Sequence, residues 1–141
     1  MVRASGARIL VIDDNLEVVD LLVTRLRAEG YGALGALTSD EGLKLVNLTR
    51  PDLVLLDITL PDVNGVEVLK RIRSIAPAIK VIMVTGSIDP LLAREALELG
   101  ALAYVDKPFD YAYLKRVVVM ALRPETGRPD ADGPRASPHR P

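Results

Sequence analysis

Short runs of Val, Ile and Leu alternate along the chain with longer stretches in which apolar residues recur every three or four positions. Runs of the first kind suit strands buried on both faces, and stretches of the second kind suit amphipathic helices. Five strands are expected: Arg8 to Ile12, Gly32 to Leu37, Leu53 to Leu56, Lys80 to Val84 and Ala103 to Asp106. The second holds Gly32 and Gly35, which lower its strand propensity.

A helix is expected after each strand. The first puts Leu16, Val19, Leu22, Val23 and Leu26 on one face and stops near Glu29-Gly30, where glycine can take the left-handed cap. Thr38, with Glu41 three residues on, forms a capping box for a second helix that runs through Leu43 and Val46 towards Leu48. A third begins at about Gly65, uses Val66, Leu69 and Ile72, and ends before Pro77. The fourth starts near Pro90 and ends at Gly100, and the fifth follows Asp110 as N-cap and continues to about Arg123. Such βα alternation is the pattern of an α/β fold with a parallel sheet. We expect a doubly wound arrangement, with helices on both faces of a five-stranded sheet.

Composition narrows this further. Of the 141 residues 49% are hydrophobic, yet there are four Tyr, one Phe and no Trp, so the core must be aliphatic. That length suits one domain, read as 8–123, with a leader of seven residues and a tail of 124–141. The tail has no Val, Ile, Leu, Met, Phe, Tyr or Trp and is expected to be disordered, for it has nothing to bury against its ordering entropy. It carries the single histidine, His139, read as a solvated tail residue. A net charge of −1 offers no global field for nucleic acid or an anionic membrane. With no Cys there is neither a disulfide framework nor a thiolate nucleophile, and the apolar run after Arg8 is too short for a signal peptide. The expected location is the cytoplasm.

Ligands of open parallel sheets sit outside the carboxyl ends of the strands. Strand one ends in Asp13-Asp14, strand three in Asp57, strand four in Thr85 and strand five in Lys107. If the sheet forms as drawn, three carboxylates, a hydroxyl and an ammonium converge on one edge. Three adjacent carboxylates repel one another, and a hard divalent cation with oxygen ligands offsets that; Mg²⁺ fits, keeping waters and bridging to phosphate oxygens. A lysine and a threonine would then hold the other oxygens of a transferred phosphoryl group, leaving one aspartate as nucleophile.

These residues resemble the receiver domains of response regulators, over roughly Arg8 to Arg123, and the resemblance implies the flavodoxin-like strand order 2-1-3-4-5. "ILVIDDN" is similar to that family's first strand with its acidic pair, and "DLVLLDITLPDVNGVEVL" to its phosphoacceptor segment. "VIMVTGS" and "YVDKPF" supply Thr85 and then Tyr104, Lys107 and Pro108. The resemblance implies that Asp57 accepts the phosphoryl group, and that Asp14, Asp57 and the backbone carbonyl of Thr59 bind Mg²⁺. It implies that Asp13 acts largely through metal-bound water. Lys107, Thr85 and backbone N–H groups of the Asp57 loop and Gly86 would meet the phosphoryl oxygens, and the Lys107-Pro108 bond would be cis. Tyr104 would be a switch residue, turning as Thr85 is drawn inward. Implied partners are a sensor histidine kinase or histidine phosphotransfer protein, and an output protein or second copy on the face of helix four, strand five and helix five.

Two other functions share parts of this pattern. Phosphatases of the haloacid-dehalogenase type also form an aspartyl phosphate, but carry a second aspartate two residues after the nucleophile, where this chain has Thr59. A pseudo-receiver keeps the fold without the chemistry, and its mark is a missing acidic or lysine position. None is missing here.

Overall fold

The computed structural model describes residues 6–86 and 89–124. The leader's first five residues and the tail from residue 125, including His139, lie outside the described residues. Five strands and five helices alternate: β1 (Arg8–Ile12), α1 (Leu16–Ala28), β2 (Gly32–Ala36), α2 (Ser39–Thr49), β3 (Leu53–Leu56), α3 (Gly65–Ile75), β4 (Lys80–Thr85), α4 (Pro90–Glu98), β5 (Ala103–Asp106) and α5 (Tyr111–Leu122). The sheet is parallel throughout, in the expected order β2-β1-β3-β4-β5.

Strand and helix ends follow from local hydrogen bonding. β2 stops at Ala36 rather than Leu37, because the Leu37 amide turns to the Glu41 carboxylate at 3.1 Å. Thr38 Oγ1 accepts from Glu41 N at the same time, so the expected capping box forms, with its return bond one residue earlier than the N-cap. β4 runs one residue further than expected, since Thr85 pairs with Asp106 and its carbonyl accepts from Lys107 N at 2.8 Å. α2 continues to Thr49 and is ended by Arg50, a non-glycine residue in the left-handed region with φ 46°. Gly30 and Gly100 have φ 100° and 110°, the conformation a glycine adopts without a Cβ penalty, and they close α1 and α4.

The central strands β1, β3 and β4 are buried almost without interruption, which explains their unbroken aliphatic sequence. One core layer joins Leu10, Ile12, Val54, Leu56 and Met83 to Val46 of α2, Val68, Leu69 and Ile72 of α3, and Ala96 of α4. On the other face Ile9, Val11, Leu53, Leu55, Ile82 and Val84 pack against Val19, Leu22 and Leu26 of α1 and Leu114 and Val118 of α5. Each fully buried Leu or Ile contributes about 1.5–3 kcal/mol relative to an exposed one. The two layers clamp the sheet on both sides, so its carboxyl edge is held as one rigid row. No helix among the described residues is long and apolar enough to cross a membrane.

Candidate functional site

Because the strands are parallel, the residue leaving each one emerges at the same edge. β1 delivers Asp13 and Asp14, β3 delivers Asp57, and β5 delivers Lys107. The first turns after these strands are locked by their own bonds. Asp13 N donates to Ala36 O at 3.1 Å and Asp57 N to Ile12 O at 2.9 Å, extending the ladders one residue past the strands. Asn15, which caps α1, donates its amide to Asp13 Oδ1 at 2.9 Å, while its own side chain accepts from Glu17 and Val18. The second residue after Asp57 is held similarly, with Thr59 N donating to Asp57 Oδ1 at 3.1 Å.

Asp13, Asp14 and Asp57 each offer an oxygen within 4.8 Å of the others. Asp13 and Asp57 are only 2% and 4% exposed, and Asp14 is exposed. Lys107 Nζ lies 2.6 Å from Asp13 Oδ2 and 3.4 Å from Asp57 Oδ2, bridging the two buried carboxylates. Burial pushes the Asp13 carboxyl above its ordinary range, against the hydrogen bonds from Lys107 and Asn15 that pull it down, and the Asp57 charge adds to the rise. For Lys107 burial acts to lower the pKa, but the hydrogen bond and charge of Asp13 together with the charge of Asp57 outweigh it, and the net shift is upward. The ammonium therefore stays charged through the neutral range. One positive charge thus stands against three carboxylates, and a hard cation with oxygen ligands fits that donor set.

Thr85, the last residue of β4, is 0% exposed, and its hydroxyl has no hydrogen-bond partner among the described residues. A buried hydroxyl left unpaired costs about 1–3 kcal/mol, a cost that an arriving acceptor removes. Gly86 follows it directly, half-buried, with open space where a Cβ would be. Thr59 is exposed at the rim of the loop that follows Asp57. Gly65 closes that loop by donating to Ile58 O at 2.7 Å. A Cβ there would run into the Asp57 carbonyl oxygen and stand 2.6 Å from Ile58 Cα, so only glycine lets α3 approach the end of β3 this closely.

Tyr104 lies on β5 beside Met83 of β4 and is half-buried against the core layer of α3 and α4. The Lys107-Pro108 bond is cis. The structure thus brings Asp13, Asp14, Asp57 and Lys107 into one cluster and puts Thr85 and Gly86 on the same sheet edge. Three contributors escaped the reading of the sequence. Asn15 and Asn64 cap α1 and α3, and the rule that Asn precedes a helix would have found both. Asp62, whose carboxylate reaches α2, carries no such signal.

Known proteins with the same sequence pattern exist. The model of the response regulator receiver domain matches residues 9–119. The chain is 38% identical over 111 residues to sporulation initiation phosphotransferase F of Bacillus subtilis, covering 79% of this chain and 90% of that protein. It is 34% identical to the alkaline phosphatase synthesis transcriptional regulatory protein PhoP of the same organism, over 89% of this chain but only 52% of that longer relative. Among solved structures, a CheY-like response regulator receiver domain protein from Methanospirillum hungatei superposes with a TM-score of 0.76 at 33% identity, covering 82% of this chain and 96% of the other. A matched segment of this extent, together with the sheet order and the acidic cluster at its carboxyl edge, shows that the chain belongs to the response regulator receiver domains of two-component signalling systems.

Proposed function

We propose that this receiver accepts a phosphoryl group on Asp57 from a histidine kinase or a histidine phosphotransfer protein, in a reaction that needs Mg²⁺. The observation that carries the reading is the bridging of two buried carboxylates by Lys107 beside a third, with the unpaired Thr85 hydroxyl on the same edge. Asp14, Asp57 and the Thr59 carbonyl would hold the ion directly and Asp13 through water. Bound there, Mg²⁺ would offset the negative charge of the carboxylates and of the incoming phosphoryl oxygens.

A carboxylate oxygen of Asp57 attacks phosphorus as the bond to the donor nitrogen breaks and its electron pair returns to the imidazole. With acetyl phosphate the bond that breaks is phosphorus to the acetate oxygen. Lys107 holds one equatorial oxygen by charge, and the Thr85 hydroxyl and the Gly86 amide donate to others. Water later attacks the same phosphorus and restores the carboxylate. Such turnover of its own phosphate makes the chain a signalling phosphoacceptor rather than a multiple-turnover enzyme, working in the cytoplasm.

Intact-mass spectrometry tests this directly. Incubation with acetyl phosphate and Mg²⁺ is expected to add one phosphate, and EDTA to prevent the addition. No adduct under these conditions or with a phosphorylated kinase, or equal labelling with EDTA, would overturn the reading.

The same geometry supports a route for output. A phosphoryl group on Asp57 would draw the Thr85 hydroxyl inward and let Tyr104 turn, altering the face of α4, β5 and α5 for an output protein or a second copy. Thr85→Ala is expected to accept phosphoryl but to lose the phosphorylation-dependent NMR shifts over Leu91 to Leu99 and at Tyr104. The free energy involved is about 1–3 kcal/mol, so the shift is graded rather than all-or-none. Undiminished shifts in the variant would make Thr85 a local ligand only.

A further inference from the structure

The loop between β3 and α3 carries Thr59, and its two ends and its tip are fastened separately. Its neck is closed by the Thr59–Asn64 bridge and by Gly65 N donating to Ile58 O. Its tip reaches a different element. Asp62 Oδ1 accepts from Ser39 N at 3.1 Å, and Oδ2 accepts from Ser39 Oγ at 2.6 Å and from Asp40 N at 3.3 Å.

Those amides belong to the first turn of α2, where an α-helix leaves its N–H groups without internal partners. Thr38, the N-cap, serves the third of them, Glu41 N, with its hydroxyl, while its carbonyl accepts the first intrahelical bond, from Gly42 N. The first two go to Asp62, from more than twenty residues away. A carboxylate also suits the positive end of the helix dipole. Ser39 is buried, so the donors stand on a fixed support. The hydroxyl of Ser39 first, and its amide next, hold the Asp62 carboxyl below the ordinary carboxylate range.

We infer that Asp62 is a positioning residue, a latch that ties the tip of the β3–α3 loop to α2 and so fixes the backbone at Thr59 for Mg²⁺. The inference rests on the proposed role of the Thr59 carbonyl. Thr59 is exposed, and the aim of its carbonyl depends on backbone restraint rather than on side-chain packing. With the tip released, the loop would pivot on its neck alone.

Two measurements on the parent, Asp62→Ala, Asp62→Asn and Thr38→Ala test this. One is amide hydrogen exchange at residues 58–64 without Mg²⁺, and the other is a Mg²⁺ titration followed by the Thr59 amide NMR shift. Asp62→Ala is expected to speed exchange at Thr59 about tenfold, the size of one hydrogen bond to a charged group. It should also need roughly three- to tenfold more Mg²⁺, less than the loss seen for groups bonded directly to a metal ligand. Asp62→Asn, which keeps an acceptor for Ser39 N, should recover part of both. Thr38→Ala weakens the same helix end without touching the loop and should leave both within about twofold. Parental exchange in Asp62→Ala, faster exchange with unchanged Mg²⁺ affinity, or the same losses in Thr38→Ala would overturn the latch. A parent that takes up no Mg²⁺ would instead sink the proposed function, and the exchange comparison would still decide whether Asp62 restrains the loop.

Discussion

Asp57→Ala will lose the phosphoryl adduct completely while keeping a cooperative melting transition. No neighbouring carboxylate is free to replace the lost oxygen. Asp13 has both oxygens engaged, Oδ1 by Asn15 N and Oδ2 by Lys107, and it is nearly enclosed. Asp14 is exposed and makes no ion pair with the ammonium that bridges the other two. The fold should survive because the side chain packs in no core layer, and its removal relieves repulsion among three carboxylates. Intact-mass spectrometry with acetyl phosphate and Mg²⁺ reads the first part and circular dichroism the second. Labelling of the variant at the parental rate would place the acceptor elsewhere.

The second large effect is expected at Lys107. Removing one fixed donor to a developing oxyanion typically costs about 10²–10³ in rate, and Lys107→Ala should slow adduct formation by that order. The same change strips the only cation from two buried carboxylates among the described residues. Asp13, already raised by burial, loses the hydrogen bond that opposed the rise. An acid whose folded pKa is raised contributes stability below its unfolded value, and loses it as pH climbs through the folded value. The variant's melting temperature without Mg²⁺ should therefore fall further behind the parent's as pH rises from about 4, near the unperturbed carboxylate value, towards neutrality. In the parent, Lys107 has a raised pKa, so its contribution is present below the ordinary lysine range and lost only as pH rises through the folded value. A constant difference in melting temperature from acid to neutral pH would show that Lys107 does not offset Asp13.

Much of the fold is legible in the local pattern. Unbroken aliphatic runs such as Leu53–Leu56 suit strands covered on both faces, and βα alternation makes such strands parallel. Parallel strands bring their carboxyl ends to one edge, so the acids after Ile12 and Leu56 and the lysine after Asp106 could be placed together before any coordinate was known. Strand ends were less legible where a side chain took the backbone's partner, as Glu41 does for Leu37. Nor does local sequence mark Arg50 as the left-handed cap, a conformation more usual for glycine.

The sequence by itself determined the fold class, the strand order through its resemblance, and the residue types that could carry phosphoryl chemistry, because each rests on periodicity or on what stands next to a strand end. Tertiary structure decided the rest. Which carboxylates Lys107 bridges depends on how far β5 lies from β1 and β3, a distance set by the sheet and not by neighbours in the chain. That Thr85 is enclosed with an unpaired hydroxyl depends on packing around it. Asp62 and Ser39 meet across 23 positions only because α2 and the loop after Asp57 stand side by side in the folded chain, and a pairing of that kind leaves no period for a sequence to show.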